Sequence, residues 1–177
     1  MRAVSPAASA LLLGVVFLGV PLAGEGKREA GVADFVYVCP AALLAPSGLH
    51  AAIKARGLSK KATGNPGARI GATLYASADG GRIVTLARHH FSDFSMASCI
   101  VSFLEPLSTD ELADLRKRLE GQALVAKLEG ELIEATPGVR TGILKRPGNA
   151  PIVTVNITAT ATSATLTMNR WVLMPGK

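Results

Sequence analysis

The chain has 177 residues, 49% of them apolar, and a formal net charge of +6. That apolar share excludes a disordered chain, and the length gives one domain with a core of its own. Aromatic residues are only 5%, so the core must be aliphatic, and with no reading motif present a nucleic-acid partner is disfavoured.

Met1-Arg2 begins the chain with one cation. Ala10 to Val20 is an unbroken apolar run, followed by Pro21-Leu22-Ala23-Gly24 and then by charged residues from Glu25. A basic start, a short apolar stretch and a small-residue exit read as a secretory signal peptide over 1–24. The run is too short for a membrane span, which needs about 20 residues. The expected mature protein is secreted or periplasmic and has no transmembrane span. It would have a flexible lead-in over 25–33 and one domain over 34–177.

The two cysteines, Cys39 and Cys99, lie in apolar surroundings, and no CxxC spacing or neighbouring histidine suggests a metal or redox site. In an oxidising compartment they are expected to form one disulfide.

In chain order, Phe35 to Cys39 reads as a short strand stopped by Pro40. Ser47 reads as the cap of a short helix through Arg56, with Leu49, Ala52 and Ile53 on one face and Gly57 at the stop, and Ser59 to Gly67 reads as a loop. Ile70 to Ser77 alternates apolar and small or polar residues. Asp79-Gly80-Gly81 then signals a hairpin into Arg82 to Phe91. That second strand is apolar on both sides, which predicts a central place in a sheet. Met96 to Leu104 is another strand.

Ser108 and Glu111 have capping-box spacing, and Leu107 and Leu112 have staple spacing. They open a helix with Leu112, Leu115 and Leu119 on one stripe and Gly121 at its end. Gln122 to Thr136 reads as a further helix through Leu124, Leu128 and Leu132, interrupted by Gly130. Ile152 to Thr162 and Ala164 to Met174 alternate cleanly and pair around a turn at Thr162-Ser163. That register sets Thr158 across from Thr167 and Ile157 across from Met168, and it puts Arg170 on the apolar face opposite Val155. These elements predict an α+β fold, a mainly antiparallel sheet with two or three helices packed on one face. No internal sequence repeat is visible.

Charge is segregated. No acid occurs between Phe35 and Ala78 or after Ala135, while Glu105 to Glu134 is acid-rich. The basic stretches could meet an anionic envelope component; the plainer reading is solvated loops.

His89, His90 and Asp93 form the only cluster that could carry catalysis or hold a metal. Adjacent strand residues point to opposite faces, which disfavours a shared ion. No GxSxG elbow supports a serine nucleophile. Thr154, Thr158, Thr160, Thr165 and Thr167 would form a hydroxyl array, resembling those of ice-binding proteins and some carbohydrate-binding sheets. The plainer reading is the wet side of a sheet. Asn156-Ile157-Thr158 is a glycosylation pattern in a mid-strand position.

No catalytic residue, metal ligand or cofactor is assigned. The expected function is a non-catalytic exported binding or interaction module, its partner an anionic envelope component or another exported protein. The alternatives are a small exported hydrolase near His89, His90 and Asp93, and an envelope-associated structural protein that uses its basic segments.

Overall fold

The computed structural model describes residues 26–64, 70–122, 128–145 and 152–173. The signal segment expected over 1–24 lies outside these residues. The elements are α1 (Lys27–Leu44), a 3-10 turn (Pro46–Gly48), α2 (Leu49–Ala55), β1 (Ser59–Thr63), β2 (Ile70–Ala76), β3 (Arg82–His90), β4 (Phe94–Phe103), α3 (Thr109–Glu120), β5 (Leu132–Thr136), β6 (Val139–Lys145), β7 (Ile152–Ala159) and β8 (Ala164–Leu173).

The fold is α+β. All eight strands form one sheet in the order β1-β2-β3-β4-β8-β7-β6-β5, and every neighbouring pair is antiparallel. A helix followed by a four-stranded meander thus occurs twice, and the last strands of the two halves, β4 and β8, pair at the centre. The architecture repeats although the sequence does not.

The core lies between one sheet face and the helices. Val84, Val101, Leu166, Met168, Val155 and Ile157 of the sheet are buried together with Phe35 and Val38 of α1 and Leu115 and Leu119 of α3. Gly31 lets α1 approach β4: a Cβ there would lie 2.4 Å from the Phe103 ring. The Cys39–Cys99 disulfide ties α1 to β4 with Cα atoms 5.3 Å apart, inside the roughly 7 Å limit for a bridge.

Two helix signals read from the sequence are present in full. Ser108 N donates to Glu111 Oε2 at 2.7 Å, Glu111 N donates to Ser108 Oγ at 3.3 Å, and Leu107 and Leu112 are both buried. The cap expected at Ser47 is not formed: Ser47 lies in the 3-10 turn, and α2 starts after Gly48 with no side-chain cap. At the end of α2, Gly57 has φ +64°. Gly57 N donates to Lys54 O and Leu58 N to Ile53 O, the paired bonds of a Schellman stop.

Several expectations are corrected. Phe35 to Cys39 is not a strand but the middle of α1, and the lead-in expected over 25–33 is helix from Lys27 onward. The helix is buried almost all round, with Tyr37 54% exposed on its outer side. It therefore lacks the stripe that identifies a surface helix. Ser59 to Thr63 is not loop but the edge strand β1, exposed along its length; its lysines suit an unpaired edge. The Gln122–Thr136 helix is replaced by β5 from Leu132, its 123–127 stretch lying outside the described residues. Gly130 has φ +132°, and a Cβ there would meet Ile143 O at 2.2 Å. Arg116 also holds the Leu128 and Gly130 carbonyls.

β3 is an interior strand, flanked by β2 and β4, but it is covered on one face only: Val84 is buried while Ile83 is 38% exposed. The β7–β8 register is two residues from that expected, with Thr158 opposite Thr165, Ile157 opposite Leu166 and Val155 opposite Met168. The turn is wider than two residues. Thr160 N donates to Ser163 O, and Thr160 Oγ1 accepts from Thr162 N and Ser163 N. A two-residue slip keeps every side chain on its face, so Ile157 is buried and Thr158 exposed as expected. Arg170 lies on the helix-covered face opposite Val153. It donates to Leu43 O at 3.1 Å, where α1 presents its carbonyl end.

Candidate functional site: the uncovered sheet face

With the helices on one side, the other face of the sheet is left bare. Directly opposite residues share a face, so the strand registers give its composition. β2 contributes Ala72, Leu74 and Ala76; β3 contributes Ile83, Thr85, Ala87 and His89. β4 contributes Phe94, Met96, Ser98, Ile100 and Ser102. β8 adds Thr165, Thr167, Asn169, Trp171 and Leu173, and β7 adds Ile152, Thr154, Asn156 and Thr158.

Across these five strands the bare face carries no Asp, Glu, Lys or Arg. A solvated sheet face normally alternates apolar-in with polar-out residues. Here the outward positions are aliphatic, aromatic, thioether, imidazole, hydroxyl or amide groups instead. At the margin beside β7, Lys145 and Glu129 pair through their backbones, Glu129 N donating to Lys145 O and Lys145 N to Glu129 O.

Several polar groups of this face bind one another. Ser98 Oγ donates to Asn169 Oδ1 at 2.7 Å. Asn169 Nδ2 and Trp171 Nε1 both donate to Thr154 Oγ1 at 3.3 Å, and Ser102 and Thr165 share a hydroxyl contact at 3.3 Å. Asn156 Oδ1 has no hydrogen-bond partner among the described residues. At one end of the face, aromatic rings run from His89 to Phe91 (6.3 Å), Phe94 (4.4 Å further) and Trp171 (5.5 Å further).

The sequence candidates separate. Thr154, Thr158, Thr165 and Thr167 share the bare face, whereas Thr160 is taken up by the β7–β8 turn through Ser163. His89 lies on the bare face and His90 on the helix side, where it is opposite Ser95; Asp93 is exposed in the turn between β3 and β4. His90, Ser95 and Asp93 thus lie at one hairpin tip, but among the described residues no side-chain hydrogen bond links them into a relay. No group of His, Cys, Asp and Glu among the described residues could hold a metal ion. No helix among them is long and apolar enough to cross a membrane.

The one buried carboxylate among the described residues is structural in its contacts. Asp34 accepts from Arg56 Nε at 2.8 Å and from Arg82 Nη1 at 2.5 Å, joining α1 to the end of α2 and the start of β3. Burial pushes its carboxyl above the ordinary value, against the pull of the two guanidiniums.

The sequence revealed the alternation of β7 and β8 but missed the extent of the face. Its width depends on the β4–β8 pairing, and no local signal encodes that contact. Comparison with protein-family models, curated proteins and solved structures returned no match.

Proposed function

We propose that this chain is an exported, non-catalytic interaction module whose working surface is the bare sheet face. The observation that supports this reading is the charge-free composition of that face on a chain of net charge +6. Large uncovered surfaces of this kind mark docking sites. The disulfide is compatible with export, since such bonds persist in oxidising compartments.

The occupant we assign is a second copy of the chain. Strands spaced about 4.8 Å apart, rising about 3.4 Å per residue, give the five strands of the uncharged face a plane of roughly 700 Å². Each partner in a standard interface contributes about 800 Å². Two positively charged chains repel, and an uncharged face is where they can meet at least electrostatic cost.

Light scattering of the mature, disulfide-intact chain during size exclusion tests this. The native protein is expected to be a dimer. Thr167→Glu and Ile100→Glu, each placing a carboxylate at the middle of the face, are expected to give monomers with the native circular-dichroism spectrum. A native monomer at high concentration rejects the second copy as occupant. A dimer that survives Thr167→Glu in a folded protein places the contact elsewhere.

A further inference from the structure

On the opposite side of the sheet, where α1 ends, the helices leave a cleft of about 330 Å³. Its floor is low because Gly71 and Ala97 flank Arg88 across β2, β3 and β4. Its walls are apolar: Leu43 from the last turn of α1, Leu49 from α2, and Tyr75 and Leu86 from the strands. The volume is that of a small-molecule site, which pairs an apolar body with orienting polar groups, and the lining mixes the two.

The polar groups here are cationic or neutral. Arg88 and His90 line the cleft and also the adjoining hollow of about 230 Å³, where Arg170 joins them. Among the described residues no carboxylate lines either one. Arg170 is engaged by Leu43 O. The guanidinium of Arg88 is exposed and has no hydrogen bond or ion pair among the described residues. Arginine presents a planar fork of donors that matches a carboxylate, and here that fork stands at the edge of an apolar hollow.

We propose that this cleft binds an amphiphilic monocarboxylate, its head on Arg88 and its apolar body against Leu43, Leu49, Leu86 and Tyr75. The site lies on the face opposite the docking surface, so it stands or falls independently of that reading.

Calorimetric titration of the mature, disulfide-intact chain with decanoate, with decanol and with anionic phospholipid vesicles tests the proposal. Decanoate is expected to bind saturably and up to about fivefold more tightly than decanol, the gain that pairing a carboxylate with an exposed arginine allows. Arg88→Gln is expected to remove that difference and leave the melting temperature unchanged, since the guanidinium holds nothing in the fold. Thr73→Phe, which fills the cleft, is expected to block decanoate in a protein that still melts cooperatively. Equal affinity for decanol, undiminished decanoate binding by Arg88→Gln, binding to vesicles alone, or no binding would each overturn the assignment.

Discussion

Asp34 is fully buried, and both its carboxylate oxygens are committed to arginines. Arg56 also donates to Ala30 O at 3.1 Å, and Arg82 to Arg56 O at 3.4 Å. The cluster therefore fixes the angle between α1, the α2 stop and the β2–β3 hairpin. Asp34→Ala leaves two guanidiniums facing each other in a buried space. Breaking a buried pair from one side costs about 3–5 kcal/mol. The urea midpoint should fall accordingly, with the slope unchanged; a loss within the range of an exposed ion pair, about 0–1 kcal/mol, would show that water reaches the site. Nothing in the sequence singles out Asp34, because Arg56 and Arg82 stand 22 and 48 residues away. Ser108 and Glu111 were readable for the opposite reason: their bonds span three residues.

At the scale of elements, legibility followed how local the determining contact is. The capped helix α3, the Gly57 stop and the Asp79-Gly80 hairpin are encoded within a few residues. α1 was misread because Val36, Tyr37 and Val38 favour strands by propensity, while burial on nearly all sides erased the helical stripe. What makes it a helix is its contact with β4, and Gly31 is the residue through which that contact can be tested. Helix propensity alone favours Gly31→Ala by about 1 kcal/mol. The Phe103 ring stands 2.4 Å from the new Cβ, and overpacking a filled core costs about 1–3 kcal/mol. Packing is expected to win, so Gly31→Ala should lower the melting temperature, and Phe103→Leu in the same chain should recover part of the loss. A stabilised Gly31→Ala protein would mean that α1 rides higher above the sheet.

For the molecule as a whole, the sheet is long and covered on one side only, and its two halves meet at β4–β8. The alternation of each strand was legible; the order of the strands was not, since it follows from non-local contacts. The hydroxyl array read from β7 and β8 is therefore one portion of a much wider uncharged face, and Thr160, counted into it from spacing, belongs to a turn. The disulfide joins the same parts covalently. It links α1 to β4 across a separation of 60 residues, and both cysteines are fully buried. On the chain-entropy view, closing such a loop removes unfolded-state freedom equivalent to about 4 kcal/mol, a large share of the roughly 5–15 kcal/mol that holds a domain together. Cys39→Ala with Cys99→Ala should therefore lower the urea unfolding free energy by about 4 kcal/mol. Adding a thiol reductant should destabilise the native chain and leave the double variant unaffected. A reductant effect of equal size on both would separate the loss from this bond, whereas sensitivity of the native chain alone would tie the helix layer and the centre of the sheet to one covalent joint.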